Sequence, residues 1–341
     1  MIGKHKSFFL CGLLAGVVVA TAGFAFRLKQ SKSSGQAAGG RVELKLAHGL
    51  VESHPVHMGM LYMKKRVEEL SGGSMTIEIH PGGVLGSETA SIESLQSGAL
   101  DMTKASSNTL ESFVPIMSAY NLPYVFQDRE HYWKVLDSEL GNEMLASGLD
   151  KKLRGLTYYD AGSRSFYMTK KSVVTPDDLK GQKIRVMNSN IAINSMRQLG
   201  ASPTPISYGE LYSALQQGTV DGAENNWPSY VTDRHYEVSK FFTENEHTSN
   251  PDVLLIGESA WARLTPMQQL VLKTAAAESS VYQRKLWQEK SDEAKAIAIA
   301  AGVKVVEPDK SLFAKKVESY KEGFKGTEVG NVMQQIQKLA E

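Results

Sequence analysis

Cysteine is almost absent from this chain: the single thiol in 341 residues is Cys11. No disulfide can brace the rest, so stability must come from apolar cores. Clustered basic residues are missing too. Residues 1–40 hold five Lys and Arg and no acid, and setting them aside leaves 33 basic against 37 acidic residues. A mildly acidic body without a basic run excludes nucleic acid as partner, because phosphate binding needs grouped Lys and Arg. Catalytic signatures are lacking as well: no GxSxG elbow, HExxH, P-loop or GxGxxG, and no cysteine pair to hold a metal. The sequence therefore offers no catalytic residue, metal or cofactor.

What the N-terminus does have is an export pattern. Lys4 and Lys6 precede an apolar run from Phe8 to Phe26, and Ala20-Thr21-Ala22 supplies a small–x–small cleavage site. The run is also long enough to span a bilayer as an uncleaved anchor. Phe9-Leu10 before Cys11 is a poor lipid-attachment sequence. Cleaved or tethered, the residues beyond about 40 end up outside the cytoplasmic membrane, in the periplasm.

The remaining length suits two globular domains. Val42–Ala47 alternates like a strand, His57–Leu70 reads as a helix closed by Ser71-Gly72-Gly73, and Met75–Ile79 is the next strand. This β-α-β order predicts an α/β fold with a largely parallel sheet. Leu95-Gln96-Ser97-Gly98-Ala99-Leu100-Asp101 returns as Leu215-Gln216-Gln217-Gly218-Thr219-Val220-Asp221. In each copy a helix should stop at a glycine and a short strand follow, which predicts two similarly built lobes. Ser207-Tyr208-Gly209-Glu210 has the spacing of a capping box at the start of the second such helix. Thr265-Pro266 opens helix-favouring sequence that runs without Gly or Pro to Gly302, a strut long enough to cross both lobes.

Few side chains invite chemistry. His54 and His57 could share a helix face, but no third ligand is placed, and a solvent-facing or first-turn pair is the simpler reading. Arg185 sits in Gln182–Met187, a strand whose Ile184 and Val186 face one side and the arginine the other. Ligands gather at the carboxyl ends of strands in open α/β sheets, and a guanidinium there grips a carboxylate with two parallel bonds. A surface or domain-pairing arginine would look the same. Arg164 lies in a second alternating segment, 161–167. Glu224-Asn225-Asn226-Trp227-Pro228 offers two amides and an indole, which suit a polyhydroxylated ligand and equally suit an ordinary turn.

Taken in order, Leu179–Val186, Gly200–Pro205 and Val220–Asn225 resemble the extracytoplasmic solute receptors of tripartite ATP-independent periplasmic (TRAP) transporters. The resemblance covers nearly everything after residue 41. It implies a two-lobed periplasmic-binding-protein fold with hinge strands and a bracing helix at about 266–301. The implied lobes are 41–161 with 251–290 and 162–250 with 291–341, after a leader and linker over 1–40. It also implies a small carboxylate ligand, a membrane permease as partner, and a monomer that closes on its ligand without turnover. By position, Arg185 matches the carboxylate-receiving arginine, Arg164 a second cleft arginine, and Asn225 the amide of the turn. Asn188 and Tyr208 match cleft-lining positions on the same lobe. Glu88, Lys104, Ser106 and His48 match ligand-facing positions on the first lobe. Ser53–His57, Asp160–Tyr167 and Glu224–Pro228 are similar to members that bind hexuronates such as D-glucuronate and D-galacturonate, with Asn226 and Trp227 joining the site. Trp227 departs from the smaller residue common there. C4-dicarboxylates, with Arg164 as second cation, are the alternative ligand, and a tethered ligand sensor the alternative role.

Overall fold

The computed structural model describes residues 41–340; the leader expected over 1–40 lies outside them. Two mixed sheets organise this body. The first has strand order β2-β1-β3-β10-β4, from Val42–Ala47 (β1), Met75–His80 (β2), Met102–Ser106 (β3), Leu153–Tyr159 (β4) and Asp252–Gly257 (β10). The second has order β11-β9-β5-β8-β6-β7. It comprises Arg164–Met168 (β5), Lys183–Val186 (β6), Ser202–Pro205 (β7), Gly222–Asn225 (β8), Phe241–Thr248 (β9) and Lys304–Val306 (β11).

The expectation of largely parallel sheets needs correction. β10 runs antiparallel to both β3 and β4, and β5 antiparallel to both β8 and β9. The cause is the connection between lobes. The chain leaves the first sheet at the end of β4, enters the second through β5, and comes back from β9 into β10. Strands that cross between sheets enter each one against the direction of its β-α-β units.

Helices cover the faces. α1 (Pro55–Leu70) follows β1, and α2 (Glu88–Ser97) precedes β3. In the second lobe α3 (Asn190–Gln198), α4 (Leu211–Gln216) and α5 (Trp227–Thr232) join the strands. The repeated corner forms twice, with Gly98 (φ +80°) after α2 and Gly218 (φ +69°) after α4 in the left-handed conformation that ends a helix at little steric cost. The capping box at Ser207 does not form: Tyr208–Glu210 makes a tight turn, Ser207 caps nothing, and α4 starts only at Leu211. Tyr208 instead donates its hydroxyl to Asp233 (2.6 Å), which holds the segment as a turn.

The strut is α6, Pro266–Ala300, opened by a Thr265 capping box with Gln268. Its 35 residues span roughly 52 Å. It packs on α1 and β4 of the first lobe and on α5 of the second. Two further helices, α7 (Lys310–Glu322) and α8 (Glu328–Lys338), close the chain. Of these, α8 departs from the lobe division expected from sequence. Val332, Met333 and Ile336 are buried in the first lobe's core beside Tyr120 and Leu122, while Phe313 and Val317 of α7 pack in the second. Its apolar stripe is complementary to the first lobe, so the last dozen residues return there. No helix among the described residues is long and apolar enough to cross a membrane.

Candidate functional site

Between the sheets lies a cavity of about 560 Å³, lined from both lobes. Its second-lobe wall begins with β6. Ile184 and Val186 enter the core with Phe166, Leu179 and Met196, which turns Arg185 to the opposite face and into the cleft. Arg185 is 1% exposed. Its Nε donates to the Ile206 carbonyl (2.9 Å), the Tyr208 ring lies 5.9 Å from its guanidinium carbon, and Nη1 is buried with no partner. Arg185 forms no ion pair among the described residues, and burial lowers its affinity for its proton. A buried guanidinium without a counter-anion is a costly arrangement.

Arg164 is its opposite. Placed beside Glu224 and Asn225 by the antiparallel β5–β8 pairing, it gives Nε to Glu224, Nη2 to Glu224 (2.9 Å to Oε1, 2.7 Å to the carbonyl) and Nη1 to Asn225 Oδ1 (2.8 Å). Every nitrogen of this guanidinium is engaged. Burial alone would raise the Glu224 carboxyl, but Arg164 and then His247 hold it at about 2 against an ordinary 4.5. The pair therefore stabilises the fold above pH 4.5, and this contribution of about 3 kcal/mol is lost as pH falls from there through 2. Glu224→Gln should melt below wild type at pH 7, and the gap should narrow between pH 5 and 2. A gap constant with pH in scanning calorimetry would contradict the assignment.

The first-lobe wall carries a closed ion cluster. Lys104 of β3 donates to Glu88 (2.5 Å) and to Asp252 (3.2 Å). Glu88, the first residue of α2, also accepts from Thr109 (2.9 Å) and the Ser106 amide (3.3 Å). Burial would lower Lys104, but Asp252 and Glu88 together raise it. Burial pushes Asp252 up to about 6, against the pull of Lys104. Glu88 is held below its ordinary range because Lys104 outweighs its burial.

Nine residues singled out from sequence meet around this cavity: Arg185, Arg164, Asn188, Tyr208, Asn225, Asn226, Glu88, Lys104 and Ser106. Asn226 also caps α5, accepting from the Ser229 amide, and donates to the Ala161 carbonyl (2.9 Å). Two others lie elsewhere. Trp227 lines a separate cavity of about 530 Å³, stacked on Phe242 (3.7 Å) with its Nε1 on Glu244 (2.8 Å). It starts α5, and helical geometry carries its ring away from the cleft. His48 is buried without lining the cleft. Its Nδ1 accepts from the Leu50 amide, so Nε2 carries the proton and donates to His57 Nδ1 (3.0 Å). Burial, with Lys104 next, lowers His48 to about 3. His54 and His57 do occupy the first turn region of α1, but they are not solvent-facing: they are 1% and 4% exposed, and His54 reaches Ser229 across the lobes (3.2 Å).

Sequence reasoning missed Asp252, Asn250 and Thr109 in the cleft. Asp252 meets Lys104 from 148 positions away, because β10 returns beside β3 only after the second lobe has been built. No local pattern could announce that. Among the described residues, no group of three or more His, Cys, Asp or Glu could hold a metal ion.

Residues 46–326 match the bacterial extracellular solute-binding proteins, family 7. A TRAP periplasmic solute-binding protein from Bradyrhizobium sp., solved with α/β-D-galacturonate, superposes with a TM-score of 0.85 at 39% identity, covering 87% of this chain and 99% of that one. Another from Pseudomonas putida F1, bound to D-glucuronate, gives 0.84 at 35%, covering 87% and 97%. The 2,3-diketo-L-gulonate-binding periplasmic protein YiaO of Escherichia coli is 30% identical over 243 residues, 71% of this chain and 74% of its own. The chain belongs to family 7 of the bacterial extracellular solute-binding proteins, and it is a solute-binding protein of the TRAP transporters.

Proposed function

We propose that this protein captures a hexuronate such as D-glucuronate or D-galacturonate and hands it to the membrane subunits of a TRAP transporter. The observation that carries the reading is Arg185, a fully buried guanidinium whose Nη1 has no partner and which pairs with no acid among the described residues. A ligand carboxylate supplies the missing charge through two parallel bonds. The opposite wall suits hydroxyls instead. Glu88 and Asp252 are acceptors held by Lys104, and Asn188 and Asn225 line the same cavity. Related receptors with bound galacturonate and glucuronate support the same ligand class.

The charges argue against C4-dicarboxylates. Arg164 is consumed by Glu224 and Asn225, and Lys104 by Glu88 and Asp252, so a second carboxylate would meet acids rather than a free cation. The protein works by binding without turnover, as a monomer outside the cytoplasmic membrane, either freed by cleavage near Ala22 or held by residues 8–26. A ligand that touches both lobes favours their closed arrangement by its differential affinity, and the permease reads that shape.

Protein expressed from residue 41 should be melted with uronates, C4-dicarboxylates and sialic acid. A ligand at 100 times its dissociation constant adds about 2.7 kcal/mol, a rise of several degrees. Glucuronate or galacturonate should give that rise and be recovered unchanged by NMR after long incubation. A rise with dicarboxylates alone would overturn the substrate, and consumed uronate would overturn binding without turnover.

A further inference from the structure

A buried acid without a cation lies outside the ion cluster described above. Glu111, on the first lobe just beyond β3, is 7% exposed and has no cation partner among the described residues. Its Oε2 accepts from Asn121 Nδ2 (2.6 Å), and its Oε1 accepts from the backbone amide of Ile191 (3.1 Å) on the second lobe. Ser189 and the Asn190 amide also favour the carboxylate, and together with Asn121 and Ile191 they offset only part of the burial that pushes its carboxyl up. The carboxylate therefore sits on the N-terminus of α3, a nine-residue helix with no acid in its own first turn. Free N–H groups and the helix dipole make such a terminus favourable for an anion. Around it the lobes touch, since the Ile191 side chain enters the first lobe's core with Leu110.

Both ends of this arrangement reach the ligand cavity. Asn121 accepts from Asn250 (2.8 Å), a cleft residue whose own Oδ1 is buried and unpartnered. On the other side Asn188, also in the cleft, lies two residues before the start of α3. A buried acid without a counter-cation contributes little to the first lobe by itself. Apart from the one to Asn121, its bond is to the other lobe.

We propose that Glu111 is the positioning residue that latches the two lobes together over a bound ligand, its carboxylate closing on the N-terminus of α3 and thereby fixing Asn188. The proposal rests on the receptor reading above. A latch made as the lobes close acts on release: it slows dissociation, leaves association unchanged, raises the closed fraction with or without ligand, and does little for the melting of the unliganded protein.

The test compares wild type, Glu111→Gln and Asn190→Asp. Asn190 is exposed in the first turn of α3, so Asn190→Asp sets a like charge near Glu111 without touching a core. Galacturonate or glucuronate dissociation is followed by stopped flow. Spin labels at Lys65→Cys and Lys180→Cys, one on each lobe, report the closed fraction; the body offers no other thiol. Each variant should release ligand about ten-fold faster, equivalent to about 1.4 kcal/mol, with an unchanged association rate. The unliganded melting temperature should match wild type, and Asn190→Asp should add nothing in the Glu111→Gln background. Unchanged dissociation and closed fraction would overturn the latch. So would a fall in unliganded stability that accounts for the whole effect. If wild type binds no uronate, the substrate reading fails separately. The latch is then decided by the unliganded closed fraction, where equality of wild type and Glu111→Gln overturns it.

Discussion

Arg185→Met is expected to weaken uronate binding by about 30-fold or more while raising the melting temperature of the unliganded protein. The two effects share one cause. Without ligand, Arg185 is a desolvated cation whose Nη1 finds no partner and whose Nε donates to the Ile206 carbonyl. Methionine keeps an unbranched stem of similar reach and removes the buried charge, so the unliganded fold should gain on the order of 1 kcal/mol, a few degrees at most. With ligand the sign reverses, because a carboxylate drawn into the cleft then faces no cation. Removing one partner of a buried, hydrogen-bonded charge pair weakens binding by about 2–5 kcal/mol, roughly 30- to 4,000-fold in the dissociation constant. Arg185→Lys should fall between, since an ammonium keeps the charge but cannot present two parallel donors. Calorimetric titration beside thermal melts separates the two effects. Affinity within three-fold of wild type in Arg185→Met would show that the carboxylate binds elsewhere.

What the sequence made legible follows the range of the interactions. β1, α1, β2 and α6 fall within one or two residues of where local pattern puts them, because alternation, glycine stops and the Thr265-Pro266 start are properties of neighbouring residues. Arg185 was legible for the same reason: Ile184 and Val186 fix which face it takes. The partnering of the charges was not. Arg164 reads from sequence as a second ligand cation, yet Glu224, 60 positions away, occupies it once β5 and β8 pair. His48 and Trp227 matched by position but are turned from the cleft by contacts with His57 and Phe242. The two antiparallel crossings escaped notice because they depend on the chain returning between lobes, which no stretch of sequence announces. The family resemblance supplied the architecture, and only the folded chain shows which charges are already spent.

Lys104→Met should be the most destabilising single change in the cleft, about 3–5 kcal/mol, lowering the melting temperature by about 10 °C at neutral pH. Lys104 is 3% exposed and is the cation shared by Glu88 and Asp252, both of which sit in the same buried cluster. Without it two carboxylates share one pocket and cannot both stay ionised, so one must take up a proton. Asp252, already pushed to about 6 by burial, is the one to do so. A raised carboxyl favours the fold when protonated and loses that contribution as pH rises through it. The deficit of the variant should therefore shrink as pH falls from 7 to 5. Asp252→Asn in the Lys104→Met background should restore most of the stability, because it removes the unpaired charge rather than the contact. Uronate affinity should not return with it, since Glu88 no longer has the ammonium that holds its carboxylate in place. A Lys104→Met protein that melts with wild type at pH 7 would mean that the cluster opens to water on its own. The cleft thus carries two unlike poles: one balanced among its own residues, and one left uncharged-for until a ligand arrives. On the proposed uronate reading, selectivity for a monocarboxylate with hydroxyls follows from that asymmetry more than from the shape of the cavity.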